Sequence, residues 1–125
     1  MPKLDAIGIV VKNLDESRRF YRLIGVDIPE VDEDHVEVVL ENGLRLMFDK
    51  LELVQKIMKW EEPVGHRMGL AFLCSSPADV DVTVEKIRAE GFKVSLEPWD
   101  AFWGQRYAQV VDPDGNLIDL FAPIE

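Results

Sequence analysis

The sequence predicts an α+β protein of two β-α-β-β-β modules in a single domain of 125 residues. Short apolar runs typical of buried strands alternate with helical segments, and the order strand, helix and about three strands occurs twice. No linker separates the halves, and each half is too small to bury a core comfortably by itself. We therefore place the modules at about residues 1–62 and 63–125 of one domain, 1–125.

The first module begins with a buried strand over residues 4–11, and a helix follows it. Asn13 and Glu16 form a capping-box-like pair at the start of this helix, and Gly25 is placed to end it. The remaining elements are bounded by turn residues: strands over 35–40 and 44–49, joined by Glu41-Asn42-Gly43, and a helix over 51–60.

The second module repeats this order from a strand over residues 68–74. Ser76 is positioned as the N-cap of its helix, with Pro77 at the first helical position, and Gly91 ends the helix. Strands are predicted over 92–97, 106–111 and 117–121. The last two are joined by a type I turn at Asp112-Pro113-Asp114-Gly115.

Composition excludes several classes of protein. The chain carries 24 acidic and 14 basic residues, a net charge of −10, so a nucleic-acid backbone would be repelled and a cationic small molecule favoured. Its one cysteine, Cys74, forms no internal disulfide and lies in an apolar run typical of a buried, inert thiol. There is no signal-peptide pattern and no stretch of membrane-spanning length. We expect a soluble cytoplasmic protein with no membrane partner.

Several motifs resemble a known family. Residues 4–14, Ser17 and Phe20-Tyr21 resemble the first module of the glyoxalase/bleomycin-resistance/dioxygenase (vicinal oxygen chelate) superfamily. Trp103-Gly104 and residues 112–116 resemble its last hairpin, especially in the bleomycin-resistance-like branch. The resemblance covers nearly the whole chain. It implies curled sheets forming a half-barrel with a cleft, commonly assembled as a homodimer.

In the metalloenzymes of this family, two histidines and two glutamates line the cleft. Ala6, Arg45, Gly69 and Asp119 stand at the matching positions. One carboxylate does not hold a divalent ion that needs three or four protein ligands. We therefore expect no metal, no cofactor and no catalytic residues of the family's metal-dependent type.

Two histidines keep a metal site open as an alternative. His66 precedes Gly69 by three positions, so an alignment error of three residues would make His66 the second histidine ligand. His35 follows the oxygen donors Asp32, Glu33 and Asp34. The alternative interpretation of this cluster is a solvated loop that leads into a strand.

Trp99, Phe102 and Trp103 crowd into the segment before the seventh strand. One interpretation is that they cover the end of the sheet. The other is that Trp103 or Trp99 forms the wall of a ligand cleft and stacks on a flat or cationic group. Acidic character at the same rim would come from Glu61, Glu97 and Asp100.

Arg45 and Asp119 appear at equivalent positions of the two modules, in Leu44-Arg45-Leu46 and Ile118-Asp119-Leu120. Either they form an ion pair where a metal would be, or Arg45 reaches solvent at a wide cleft mouth. The predicted ligand-binding residues are Trp103, Trp99, Arg45, Met47, Asp119 and Phe121.

The sequence therefore favours a metal-free, non-catalytic protein that binds a small molecule in its cleft and sequesters an aromatic or cationic compound, such as an antibiotic. The alternative is a metal-dependent glyoxalase-, epimerase- or dioxygenase-like enzyme. A regulatory or interaction module without a small ligand is a third class.

Overall fold

The computed structural model describes all 125 residues. They divide into two compact units, Met1–Pro63 and Val64–Glu125, called here the first and second modules. No helix is long and apolar enough to span a membrane. The elements in chain order are β1 (Ala6–Val11), α1 (Leu14–Arg22), β2 (His35–Val39), β3 (Arg45–Lys50), α2 (Leu51–Ile57), β4 (Leu70–Leu73), α3 (Pro77–Ala89), β5 (Lys93–Ala101), β6 (Gln105–Val111) and β7 (Leu117–Pro123).

The first module is a three-stranded sheet in the order β1-β3-β2, with β1 parallel and β2 antiparallel to β3. Leu46 and Phe48 are buried and alternate with half-buried Arg45 and Met47, as strand periodicity requires. Helix α1 packs on the buried side, where the ring of Tyr21 meets that of Phe48 at 5.1 Å between centroids. The strand side chains that alternate with this core form what we call the polar face of the first module: Glu37, Arg45, Met47, His35 and Asp49.

The first module has one strand fewer than the repeat predicts, and helix α2 follows β3, where the sequence predicts a helix over 51–60. No strand forms between α1 and β2, where Pro29 lacks an N–H donor and an acidic run follows. The buried Arg18 bonds this segment, because its Nε donates to the carbonyl of Pro29 at 3.0 Å and Nη2 to that of Val31 at 3.4 Å. Two carbonyls of the segment are therefore satisfied by a guanidinium instead of a neighbouring strand.

The second module contains the complete β-α-β-β-β order, in a sheet arranged β4-β7-β6-β5 with β4 parallel to β7. The predicted helix starts are confirmed in both modules. Asn13 accepts from the backbone N–H of Glu16, and Ser76 from that of Asp79, each at 3.1 Å. The α+β fold with paired modules is thus the one that the sequence predicts.

Candidate functional site

Strand alternation divides the second sheet into a helix side and a second side that carries most of the predicted ligand-binding residues. Ala108 and Val110 are fully buried, and Arg106 Nε donates to Asp81 of α3 at 3.0 Å, which places these residues on the helix side. Tyr107 and Gln109 therefore point the other way. The residues on this side form the aromatic face of the second module: Trp99, Trp103, Tyr107, Asp119 and Phe121.

Trp103 is the centre of this face. Its ring makes edge-on contacts with Trp99, Phe102 and Tyr107 at centroid distances of 5.6, 5.0 and 5.4 Å. Trp103 occupies the turn between β5 and β6, where Gly104 takes a positive φ of 91°, and its indole N–H donates to Gln105 at 2.8 Å. Nevertheless, Trp99 is 40% and Trp103 48% exposed. Large apolar surface is thus held in place without being buried.

Asp119 supplies the negative charge of the aromatic face. Gln109 Nε2 donates to its carboxylate at 3.0 Å. Tyr107 also hydrogen-bonds to it, and burial, followed by this bond and the charge of Asp119, raises the pKa of Tyr107 to about 12. Tyr107 is therefore a protonated donor that orients the carboxylate. Phe121 lies beside Tyr107 in the β6–β7 register, so Trp99, Trp103, Asp119 and Phe121 share one surface.

Arg45 and Met47 lie in the first module, on its polar face. The Arg45 guanidinium is engaged at both ends, by Asp5 at 2.6 Å and Glu37 at 2.7 Å. These hydrogen bonds raise the pKa of Arg45, that to Asp5 most. Arg45 therefore has its carboxylate partners within its own module and needs no pairing with Asp119.

The hairpin registers also correct the expected equivalence of Arg45 and Asp119. In the first module the N–H of Leu40 bonds to the carbonyl of Leu44, and in the second that of Asp112 bonds to the carbonyl of Asn116, each at 2.9 Å. Counting from these matched turns aligns Met47 with Asp119 and Arg45 with Leu117. Neither Arg45 nor Met47 provides a carboxylate. The first module therefore lacks a metal-binding oxygen at this position, whether Asp119 is aligned with Arg45 or with Met47.

A network that the sequence did not predict crosses the polar face. His35 Nε2 lies 2.8 Å from Glu37, and His35 Nδ1 hydrogen-bonds to Asp49. Glu37 also binds Arg45. The network therefore connects Asp5 to Arg45, Glu37, His35 and Asp49 in that order, so that carboxylates alternate with basic side chains. The contact between His35 and Asp49 could have been predicted from the sequence, because the Glu41-Asn42-Gly43 turn sets a register in which these two residues lie opposite each other.

Two residues of the predicted acidic rim, Glu97 and Asp100, turn away from the aromatic face. Glu97 pairs with Arg88 of α3. Asp100 pairs with Arg106 at 3.2 Å, the same arginine that reaches α3. Glu61 belongs to the first module and is exposed. Asp119 is therefore the carboxylate that the structure places among the aromatic rings.

No group of three or more His, Cys, Asp or Glu side chains has the arrangement of a metal site, and this includes His35, Glu37 and Asp49 of the polar face. His66 is exposed in the segment between α2 and β4, which has no helix or strand. Cys74 is half-buried, and burial, followed by the charge of Asp79, raises the pKa of its thiol.

A depression of about 870 Å³ lies elsewhere in the first module and has a different character. It includes Lys12, Asp32, Lys50 and Glu52, so its walls are charged and of both signs. Lys50 is already paired, with Asp34 at 3.8 Å. The depression has no aromatic wall, unlike the aromatic face of the second module.

The fold and these motifs agree with a match to one family. The model for the Glyoxalase/Bleomycin resistance protein/Dioxygenase superfamily matches residues 3–120. The chain belongs to this superfamily. Its members bind small molecules and often form dimers.

Individual proteins are also similar to this chain. The uncharacterized protein YraH of Bacillus subtilis (strain 168) is 27% identical over 124 residues, which cover 95% of this chain and 97% of the relative. The crystal structure of a glyoxalase/bleomycin resistance protein/dioxygenase from Nocardioides is 25% identical and covers 100% of this chain and 85% of that one, with a TM-score of 0.75. A family enzyme from Burkholderia phytofirmans PsJN, at 17% identity, has a TM-score of 0.83 with 98% and 100% of the two chains covered, and this likeness concerns the fold alone.

Proposed function

We propose that this protein binds an aromatic or cationic small molecule on the aromatic face of its second module, without a metal, and sequesters it as bleomycin-resistance-like members of the superfamily do. The exposed cluster around Trp103 carries the proposal. Three rings fix the orientation of Trp103 while nearly half of the residue stays exposed. A flat ligand that covered this ring would gain apolar burial with little loss of side-chain entropy.

Charge favours a cation among flat ligands. Asp119 lies beside Tyr107 and Phe121, and the chain as a whole carries −10. A planar cation could therefore stack on an aromatic ring while its charge is attracted by Asp119. A neutral flat molecule would keep only the stacking contribution.

The residues at the family's metal positions support binding without a metal. Ala6, Gly69 and either Arg45 or Met47 occupy three of the four positions, and none offers the expected imidazole or carboxylate. We further propose that the protein is a cytoplasmic homodimer and that it holds its ligand, such as an antibiotic, and releases it unchanged.

The test is a titration of the full-length protein with a planar aromatic cation, N-methylquinolinium, followed by tryptophan fluorescence and by calorimetry. We expect saturable quenching and an affinity that falls as salt rises, because Asp119 contributes through its charge. Trp103→Ala should weaken binding by roughly 1–3 kcal/mol if the ring is a central anchor.

Trp60→Ala is the matched control, since Trp60 lies in the first module outside any helix or strand. It should leave the affinity nearly unchanged. Chemical denaturation of both variants checks that each is folded. Intact binding in folded Trp103→Ala across a panel of cationic aromatics would contradict the proposed site.

A further inference from the structure

The hairpin formed by β2 and β3 is closed by different means at its two ends. At the turn, the Leu40 N–H bonds to the carbonyl of Leu44 at 2.9 Å. At the open end, the Lys50 N–H bonds to the carbonyl of Asp34 at 2.9 Å, and His35 lies opposite Asp49. Because β2 is an edge strand, nothing on its other side within the sheet holds this open end in place.

His35 joins the strands there through both of its ring nitrogens. Nδ1 meets a carboxylate oxygen of Asp49 on β3, and Nε2 meets one of Glu37 on β2. Ionised carboxylates only accept hydrogen bonds, and a neutral imidazole has one N–H to donate. Only the protonated ring satisfies both contacts at once.

We propose that His35 is a pH-sensitive staple, which holds the open end of the β2–β3 hairpin closed while its ring is protonated and releases it when the proton is lost. Loss of the proton removes one hydrogen bond. It also leaves the carboxylates of Asp5, Glu37 and Asp49 with Arg45 as the one cation of the network. The staple is independent of ligand binding at the aromatic face, so either inference can fail without the other.

The charged surroundings of His35 agree with this role. Glu37 on its own strand and Asp49 on β3 touch the ring, Arg45 binds the far oxygen of Glu37, and the Lys50–Asp34 pair flanks the open end. The hydrogen bond to Glu37, followed by that to Asp49, raises the pKa of His35, and the bond from His35 is the main cause that lowers the pKa of Glu37.

The direction of the pH dependence follows from the raised pKa of His35. Because the folded state binds the His35 proton more tightly than the unfolded state, the staple's contribution to stability is complete below the ordinary histidine pKa of 6.5. It is lost as the pH rises through the higher value of the folded protein. The ring is 41% exposed, so salt should weaken the effect.

The first test is an NMR titration of the imidazole resonances of the chain's two histidines, assigned by comparison with His66→Gln. The His35 resonance should titrate above the ordinary histidine pKa of 6.5. Asp49→Asn and Glu37→Gln should each move the His35 titration to lower pH. A His35 titration at or below 6.5 in the wild type, or one that neither variant moves, would overturn the proposal.

The second test is amide hydrogen exchange across the hairpin. The ratio of the Lys50 exchange rate to that of Leu40, each corrected for its intrinsic pH dependence, should rise as the His35 ring deprotonates. This rise should disappear in His35→Gln, whose amide does not titrate, and persist in His66→Gln. A constant ratio in the wild type, or an equal rise in His35→Gln, would show that the ring does not control the hairpin.

Discussion

Asp119→Asn isolates the charge that we assign to ligand selection. The asparagine oxygen can still accept from Tyr107 or Gln109, so the side chain should keep its place. A cation about 4 Å from the carboxylate gains roughly 1 kcal/mol in water and about 4 kcal/mol at an effective dielectric constant of ~20. Since Asp119 is half-buried on an exposed face, we expect a loss of about 1–2 kcal/mol, or roughly 5- to 30-fold in affinity.

The assay compares N-methylquinolinium with uncharged quinoline by calorimetry at slightly alkaline pH. The variant should bind the cation more weakly and lose most of its salt dependence, whereas the affinity for quinoline should stay as in the wild type. A second measurement follows the phenolate absorbance. The pKa of Tyr107, about 12 in the wild type, should fall when the charge is removed but stay above its ordinary value, because burial is the largest cause of the shift.

Equal losses for the charged and uncharged probes would refute the reasoning, since they would indicate that Asp119 shapes the face and does not select by charge. Unchanged cation binding in the folded variant would exclude Asp119 from the site altogether.

Two further predictions concern the parts of the fold that support the candidate sites. Asp112→Ala should lower the free energy of unfolding, measured by urea denaturation, by about 2–3 kcal/mol. The reason is that the buried carboxylate accepts at 2.8 Å from both the backbone and the side-chain N–H groups of Asn116. A loss no larger than that of an ordinary surface substitution would contradict this prediction. Arg18→Met should speed proteolysis near Pro29, whose carbonyl loses its donor, and lower stability by about 1–3 kcal/mol. Arg22→Met, which removes only exposed ion pairs, is the matched control and should cost far less.

The repeat and the helix starts could be predicted from sequence because they depend on local chemistry. Asn13 and Ser76 cap helices through residues three positions away. The repeat implies a further strand in the first module, but the residue pattern indicated none between residues 25 and 35, and none forms there although Val26 and Ile28 are buried. What replaces the strand is a bond from Arg18, eleven residues before Pro29, and no local pattern shows it.

The aromatic face was predicted in part. Trp99 and Trp103 stood out by composition, but their contact with Tyr107 depends on the β5–β6 register, which two irregularities shift. The equivalence of Arg45 and Asp119 was wrong by two residues, because a shift of two keeps the same sheet face and leaves the apolar pattern intact. The partner of Arg45, Asp5, lies forty residues away, and only the parallel pairing of β1 with β3 brings it near.

The most direct measurement of the central claim is native mass spectrometry with elemental analysis of protein freshly purified from metal-supplemented cells. We expect twice the chain mass, no stoichiometric transition metal, and binding of N-methylquinolinium that survives a chelator. One zinc, nickel, iron or manganese per chain, lost on His66→Ala, would contradict the account and make a metal-dependent enzyme the better description.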